Sequence, residues 1–330
     1  MSPWGGLAGW TDSVFTYGTF EIRLYQKGGR CSALLPWSRT AERRQQGVFM
    51  RVLVTGATGQ LGQDVCRVLA ERGVEYRGIG SAQLDITDKA AVYEFVTDCR
   101  PDAVIHCAAY TAVDRAEDEA EACFAVNEGG TRNLAEACRA VSAKLLYLST
   151  DYVFPGEGER AYEVSDATGP QNVYGKSKLA GENAVRETLQ TYFIVRISWV
   201  FGCRGNNFVK TMLRLSENHA ILRVVDDQVG SPTYTADLAP LLCDMIATER
   251  YGVYHATNEG VCSWAEFARE IFRLAGKSVE VVPVTTEAYG AKAPRPRNSR
   301  LSKASLDAGG FCRLPDWHEA LGHSLKSMEK

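Results

Sequence analysis

The chain has 330 residues, enough for one large domain or two lobes sharing a cleft, with 45% hydrophobic and 23% charged residues. A formal net charge of −3 leaves no basic field for nucleic acid or an anionic membrane, and no apolar run approaches the ~18 residues that suggest a spanning helix. The ten cysteines contain no Cys-x-x-Cys pair and the five histidines do not cluster, so reduced thiols in a cytoplasmic protein are expected, with no disulfide framework and no metal site.

Residues 1–49 carry three of the six tryptophans and show neither a sustained helical nor a sustained strand period. They lack the positive start and apolar core of a secretory signal, and Asp12, Glu21 and Glu42 count against an arginine-rich organelle leader. The expectation is a disordered or non-native extension, with the functional chain starting at Met50.

Arg51–Thr55 is a β-branched run that reads as a buried parallel strand. It runs into Gly56-Ala57-Thr58-Gly59-Gln60-Leu61-Gly62 and then an amphipathic segment over 64–72. In a strand–loop–helix of this kind Gly56 permits the tight turn, Gly59 lets a pyrophosphate approach the backbone, and Gly62 allows close helix–strand packing. The helix N-terminus then faces the phosphates. A second strand over 74–79 ends in Gly80-Ser81 with no acidic residue, and Arg77 lies close in sequence. An acid at this point would favour NADH by binding the ribose 2′-hydroxyl, so the reading leans to NADPH with NADH left open. Asp85 precedes a helix over 89–99, with capping its default role and an approach to adenine the alternative.

A third strand over 103–107 ends in Ala108-Ala109, small residues that let a cofactor cross the sheet edge. A long helical region over 117–141 follows, interrupted by Asn127 and Gly129-Gly130. The strand over 144–148 delivers Ser149 and Thr150 to the carboxyl edge, where alternation lets only one hydroxyl face the cleft. Tyr174 and Lys178 are four apart, so on a helix the ammonium can lie beside the phenol and lower its pKa. A further strand covers 191–197. After it the pattern loosens into shorter elements: helices over 207–217, 237–247, 264–275 and 315–328, and strands over 222–225, 252–256 and 279–284. The proline- and arginine-rich segment 293–300 is either an exposed loop or the mouth of the cleft, where an arginine would clamp a diphosphate. Asn206 and Lys210 flank a helix start and are candidates to touch phosphate or sugar, with capping the alternative for Asn206.

These features together resemble the extended short-chain dehydrogenase/reductase family. The resemblance rests on the glycine loop, the hydroxyl after the fourth strand and Tyr174-x-x-x-Lys178. Finer matches are Ala109–Asp114, Ser149–Gly156, Pro170–Glu182, Arg196–Gly202, Gly205–Met212, Asp227–Thr233 and Arg295–Leu301, in family order from Met50 almost to the C-terminus. They point to the branch that reduces the 4-ketone of dTDP-4-dehydro-β-L-rhamnose to dTDP-L-rhamnose.

The resemblance implies an α/β fold: a Rossmann-type doubly wound parallel sheet over 50–198, and a smaller substrate-binding lobe over 199–330 with some segments returning to the sheet. It implies Thr150, Tyr174 and Lys178 as catalytic residues. It places Gly56, Gly59, Gln60, Leu61, Gly62, Asp85, Ile86, Ala109, Tyr110 and Thr111 on NADPH, together with Tyr174 and Lys178. Trp199, Asn206 and Arg297 would meet the nucleotide sugar. Magnesium at a subunit contact occurs in some members, and a homodimer is left open. Two alternatives stay in view. One is a non-catalytic nucleotide-binding subunit like the methionine adenosyltransferase regulatory subunit, which resembles the same family; the other is a reductase or epimerase of another nucleotide sugar.

Overall fold

The computed structural model describes residues 11–17, 20–27, 30–31 and 50–328. The chain divides into two compact units, 1–48 and 49–330. In the first, Thr11–Tyr17, Phe20–Lys27 and Arg30–Cys31 form a three-stranded antiparallel sheet. This departs from the expectation of no strand period. The alternation of Phe20, Ile22 and Leu24 with Glu21 and Arg23 is a period of two, short enough to be lost in a reading of all forty-nine residues. The expectation of disorder over the rest of 1–49 lies outside the described residues.

The second unit is organised by a six-stranded, all-parallel sheet. Its strands are β1 (Arg51–Thr55), β2 (Glu75–Ile79), β3 (Ala103–His106), β4 (Lys144–Thr150), β5 (Tyr192–Ile197) and β6 (Gly252–His255). The spatial order is β6-β5-β4-β3-β1-β2. The sheet is covered on both faces, which is why β1 is a continuous apolar run. Val52 and Val54 join one core with Val65 and Leu69 of helix α1 (Gln60–Glu71), while Leu53 joins another with Val92 and Val96 of α2 (Lys89–Cys99). Full burial of each such side chain contributes ~1.5–3 kcal/mol. The chain reverses direction across the sheet between β1 and β3, and in folds of this kind ligands bind outside the strand carboxyl ends at that point.

The expected long helix breaks into Val113–Ala116, Ala120–Phe124, a π-helical turn Ala125–Gly130 and α3 (Thr131–Val141). The π turn coincides with Asn127 and the glycine pair. Helix α4 (Val173–Thr188) carries Tyr174 and Lys178, and is capped by Asn172 accepting from the Gly175 amide at 2.7 Å.

A smaller lobe has its own core of Phe201, Val209, Met212, Phe267, Ile271 and Trp317. It is built around α5 (Phe208–Leu215), α6 (Trp264–Leu274) and α7 (Trp317–Met328), with a parallel pair of strands, Ile221–Val225 and Glu280–Val284. Two-residue strands stitch it together: Val229–Gly230 pairs with Asn298–Ser299 and Cys262–Ser263, and Thr233–Tyr234 with Val200–Phe201. The segment Thr235–Ile246 is a helix that joins the core beneath β1, so late parts of the chain return to the large sheet.

Candidate active site

A cavity of about 1070 Å³ opens at the carboxyl edge of the large sheet, between it and the smaller lobe. Its floor is the glycine loop. Gly56 holds φ +66°, and a Cβ there would stand 2.5 Å from the Ala108 nitrogen; at Gly62 a Cβ would stand 2.2 Å from the Gly56 carbonyl oxygen. Both positions therefore require glycine: the first clash would push the loop off the backbone that follows β3, and the second would push α1 off the loop. Gly59 is the N-cap of α1 and offers no side chain to its first-turn amides. Those donors point at the cavity beside Gln60 and Leu61, and they fit an anionic pyrophosphate.

Asp85, Ile86, Ala109, Tyr110 and Thr111 line the adjoining wall. Asp85 does not cap α2. Its carboxylate accepts from the Thr87 amide (2.9 Å) and hydroxyl (2.8 Å), while Asp88, three residues nearer the helix, accepts from the amides of Ala90 and Ala91. These two bonds from Thr87 hold Asp85 below the usual carboxylate range. Arg77 is turned away, with its Nη1 at 3.0 Å from the Cys99 sulfur and its guanidinium over the Phe95 ring. The end of β2 thus meets the cavity as Gly80 and Ser81. The π turn fixes the Tyr110 stretch. Asn127 Oδ1 accepts from the Tyr110 amide at 2.8 Å, and its Nδ2 donates to the Tyr110 carbonyl (3.0 Å) and to Ser177 Oγ (2.9 Å).

Thr150, Tyr174 and Lys178 converge on the far side of the cavity. As strand alternation requires, the two hydroxyls part: Ser149 donates to buried Glu182 at 2.6 Å, and Thr150 stays with Tyr174. Thr150 also donates to Asp151 Oδ1 at 2.9 Å, and burial pushes the Asp151 carboxyl up to about 6. Lys178 does not play the part that spacing suggests. Its ammonium donates to the Leu148 carbonyl at 2.6 Å, lies 4.1 Å from the Tyr147 ring centre, and is pushed down by burial to about 7. The Tyr174 phenol is pushed up, first by burial and then by the negative charge of Asp151, with the Thr150 hydroxyl opposing. The expected lowering of Tyr174 is therefore reversed, because desolvation outweighs a neighbour already committed elsewhere. The phenol stays protonated at neutral pH.

The remaining wall comes from the smaller lobe. Trp199 and Asn206 line the cavity. Trp199 sits at φ +49°, strained for a bulky residue, and its ring stacks on Trp264 with centroids 3.7 Å apart. Trp264 begins α6 behind a Ser263–Glu266 capping box and meets Phe208 at 4.6 Å. The capping box is a sequence signal for a helix start, but nothing in the sequence aims Trp264 at Trp199. Asn206 is not the cap of α5; Asn207 is, accepting from the Lys210 amide at 3.0 Å. Asn206 lines the cavity, with its carbonyl receiving the Gln60 side chain at 3.2 Å, whereas Lys210 does not line it. Arg297 is outside the cavity, paired with Glu287 and Asp227, its carbonyl engaged by the Val229 amide. Arg295, two residues earlier, lines the cavity in its place.

The model of the family described as "RmlD substrate binding domain" matches residues 50–330. The chain is 48% identical over 285 residues to a dTDP-4-dehydrorhamnose reductase of Streptomyces griseus, covering 84% of this chain and 94% of that one. Among solved structures it is similar to the dTDP-4-dehydrorhamnose reductase of Bacillus anthracis in complex with NADP, with 45% identity and a TM-score of 0.83 over 84% of this chain and 99% of that one. A dTDP-4-dehydrorhamnose reductase of Clostridium acetobutylicum gives 42% identity and a TM-score of 0.84, over 85% and 100%.

Proposed function

We infer the reaction from the premise that this chain belongs to the RmlD substrate-binding family and is 42–48% identical to the three dTDP-4-dehydrorhamnose reductases above. It is an NAD(P)-dependent oxidoreductase that reduces the 4-ketone of dTDP-4-dehydro-β-L-rhamnose to give dTDP-L-rhamnose. The observation that carries this reading is one cavity in which a glycine cradle for a dinucleotide faces Thr150, Tyr174 and Lys178.

Gly56, Gly59, Gln60, Leu61, Gly62 and the α1 N-terminus would hold the pyrophosphate, and Asp85, Ile86 and Ala109–Thr111 would wall the rest of the cofactor. When bound, the nicotinamide supplies a hydride to the carbonyl carbon. Tyr174, kept protonated by burial, gives its phenolic proton to the oxygen as negative charge grows there. Thr150 would turn its single hydroxyl hydrogen from Asp151, where it rests at 2.9 Å, to the same oxygen. Lys178, whose ammonium donates to the Leu148 carbonyl, would bind the hydroxyls of the nicotinamide ribose beside Tyr174. Trp199 and Asn206 form the sugar-facing wall.

NADPH is the preferred cofactor in this proposal, supported by the Gly80-Ser81 end of β2, which brings no carboxylate. A cytoplasmic location is supported by nine free cysteines among the described residues, and no helix of the described residues is long and apolar enough to cross a membrane. Magnesium enters no step of this proposal, and among the described residues no three His, Cys, Asp or Glu side chains gather to hold a metal. The homodimer that the family resemblance leaves open is tested by light scattering. The reaction is tested by mixing the protein with the nucleotide ketosugar and NADPH or NADH and following nicotinamide absorbance. Rapid loss of absorbance with a dTDP-L-rhamnose product is expected, faster with NADPH; no turnover with either cofactor would refute the reading.

A further inference from the structure

Thr150 has one hydroxyl hydrogen to give, and Asp151 holds it. The Thr150 oxygen accepts from the Tyr152 amide at 3.2 Å, and its hydrogen goes to Asp151 Oδ1 at 2.9 Å, since an ionised carboxylate can only accept. The other carboxylate oxygen, Oδ2, is buried without a hydrogen-bond partner, and Asp151 lines the cavity. We propose that Asp151 takes up a proton when the ketone binds, and that as a carboxylic acid it releases the Thr150 hydroxyl for the substrate. This rests on the reductase reading above. Asp151 is then a positioning residue that acts on the ketone through Thr150.

The hydrogen inventory requires the proton. When Thr150 turns its hydrogen to the ketone oxygen, a lone pair is left facing Asp151 Oδ1 across the same 2.9 Å. With the carboxylate ionised, two acceptors meet with nothing between them, and Oδ1 joins Oδ2 as a buried oxygen without a donor. A proton on Oδ1 reverses the bond. The carboxyl O–H donates to Thr150, Thr150 donates to the ketone, and every oxygen in the row has its hydrogen. The proton comes from solvent and returns there when the product leaves; no other bond forms or breaks at Asp151.

Charge points the same way. Ionised Asp151 makes the Tyr174 phenol of α4 harder to ionise, and does the same to Tyr152 on its own turn. The cations of the cavity are committed elsewhere: Lys178 donates to the Leu148 carbonyl at 2.6 Å, and Arg295 to Asp114 at 2.6 Å. From the strand Asn298–Ser299, the Ser299 hydroxyl comes close enough to favour the ionised form but makes no hydrogen bond to Oδ2. The arginines on either side of that strand turn to other partners, Arg297 to Glu287 and Arg300 to Asn298 Oδ1. A carboxylate beside the ketone would oppose the negative charge that grows on its oxygen, and a neutral acid would not. Burial already raises Asp151 to about 6, so the proton is within reach at neutral pH.

The test titrates the nucleotide ketosugar into the full chain held with NADP, so that no hydride passes. Heats in two buffers of different ionisation enthalpy give the protons taken up. At pH 7.5 the wild type should take up about one proton per ketosugar more than Asp151→Asn. At pH 6 the difference should be about half, because half of the free chains already carry the proton. In turnover with NADPH, wild-type kcat/KM should fall about tenfold for each pH unit above 6, as the free enzyme gives up the proton that the complex needs. Asp151→Asn has an amide N–H that can donate to Thr150 at every pH, and it should flatten that limb; Lys178 is present in both chains and cancels in the comparison. Should the variant fail to fold, infrared difference spectra of the wild type decide: ketosugar should add the C=O stretch of a protonated carboxyl. An unchanged pH limb in Asp151→Asn, or a wild type that reduces the ketosugar with neither the extra proton nor the carboxyl band, would overturn the proposal and leave the reductase reading standing. Binding with the band but without turnover on NADPH or NADH would keep Asp151 in this role and remove the reductase reading. No binding at all would overturn both.

Discussion

The cavity has two walls made by different means. The wall bearing Thr150, Tyr174 and Lys178 comes from a seven-residue strand in the middle of the parallel sheet and a sixteen-residue helix packed beside it. Thr150 and Lys178 are buried and Tyr174 is half-buried, and ladder bonds on both sides of β4 fix the strand that carries Thr150. The wall bearing Trp199, Asn206 and Trp264 is assembled from two-residue strands, loops, a tryptophan in a left-handed conformation and the first residue of α6. The difference separates two tasks. Proton transfer needs fixed distances and a dry site, which the sheet gives; recognition of one sugar among many needs a surface whose shape follows from loops.

The comparison can be broken most directly at Tyr174. Tyr174→Phe should lower kcat by about a hundred- to ten-thousand-fold, the range for a general acid, with KM little changed. A defect in KM alone would move Tyr174 to the recognition wall. On the other side, Trp199→Ala should raise the ketosugar KM about tenfold, equivalent to ~1.4 kcal/mol of aromatic contact, and leave kcat within a few-fold. A collapse of kcat would mean that the two walls are not separable.

The burial of the first wall is sharpened by pH. Lys178 is lowered from 10.5 to about 7 in the folded protein. Below pH 7 both folded and unfolded chains carry its proton, and the folded one bears the full burial penalty. Between about 7 and 10.5 the unfolded chain binds more protons, so this group's contribution to stability improves as pH rises. Lys178→Met should therefore be more stable than wild type by a margin that is largest below pH 7 and shrinks toward pH 10.5, as measured by urea denaturation. A margin independent of pH would contradict a buried amine. The smallest effect is expected from residues 1–49. We propose that they serve neither wall, since the compact unit bearing the cavity starts at Phe49, and their deletion should leave kcat/KM and melting temperature unchanged.

The two walls are unequally legible in the amino-acid sequence. Regular elements read well because periodicity and end signals are local. The helix Lys89–Cys99 matches its expected range, although its cap is Asp88, a neighbouring acid with the better reach. Spacing places Tyr174 and Lys178 on one helix, and the structure agrees. Spacing does not give the charge balance between them, because desolvation is set by what packs from β4 and from Asp151. In the second wall, position along the sequence misleads. Asn206 lines the cavity as expected while the cap falls to Asn207, and Arg295 lines the cavity where Arg297 is expected. The segment 293–299 turns inward or outward according to the pairing of Asn298–Ser299 with Val229–Gly230, some seventy residues away. No local pattern encodes that pairing, and none encodes the stack of Trp264 on Trp199.

The strand Gly252–His255, which completes the large sheet beside Tyr192–Ile197, has a consequence during synthesis. As the chain leaves the ribosome, β5 must wait for its outer neighbour with a row of amides and carbonyls unpaired. At about 5–20 residues per second that wait lasts several seconds. An open parallel edge is a template for the wrong partner, including the same strand of another nascent chain. Slow translation through residues 198–251 would lengthen the exposure, so the yield of folded protein should depend on how quickly a ribosome crosses that stretch.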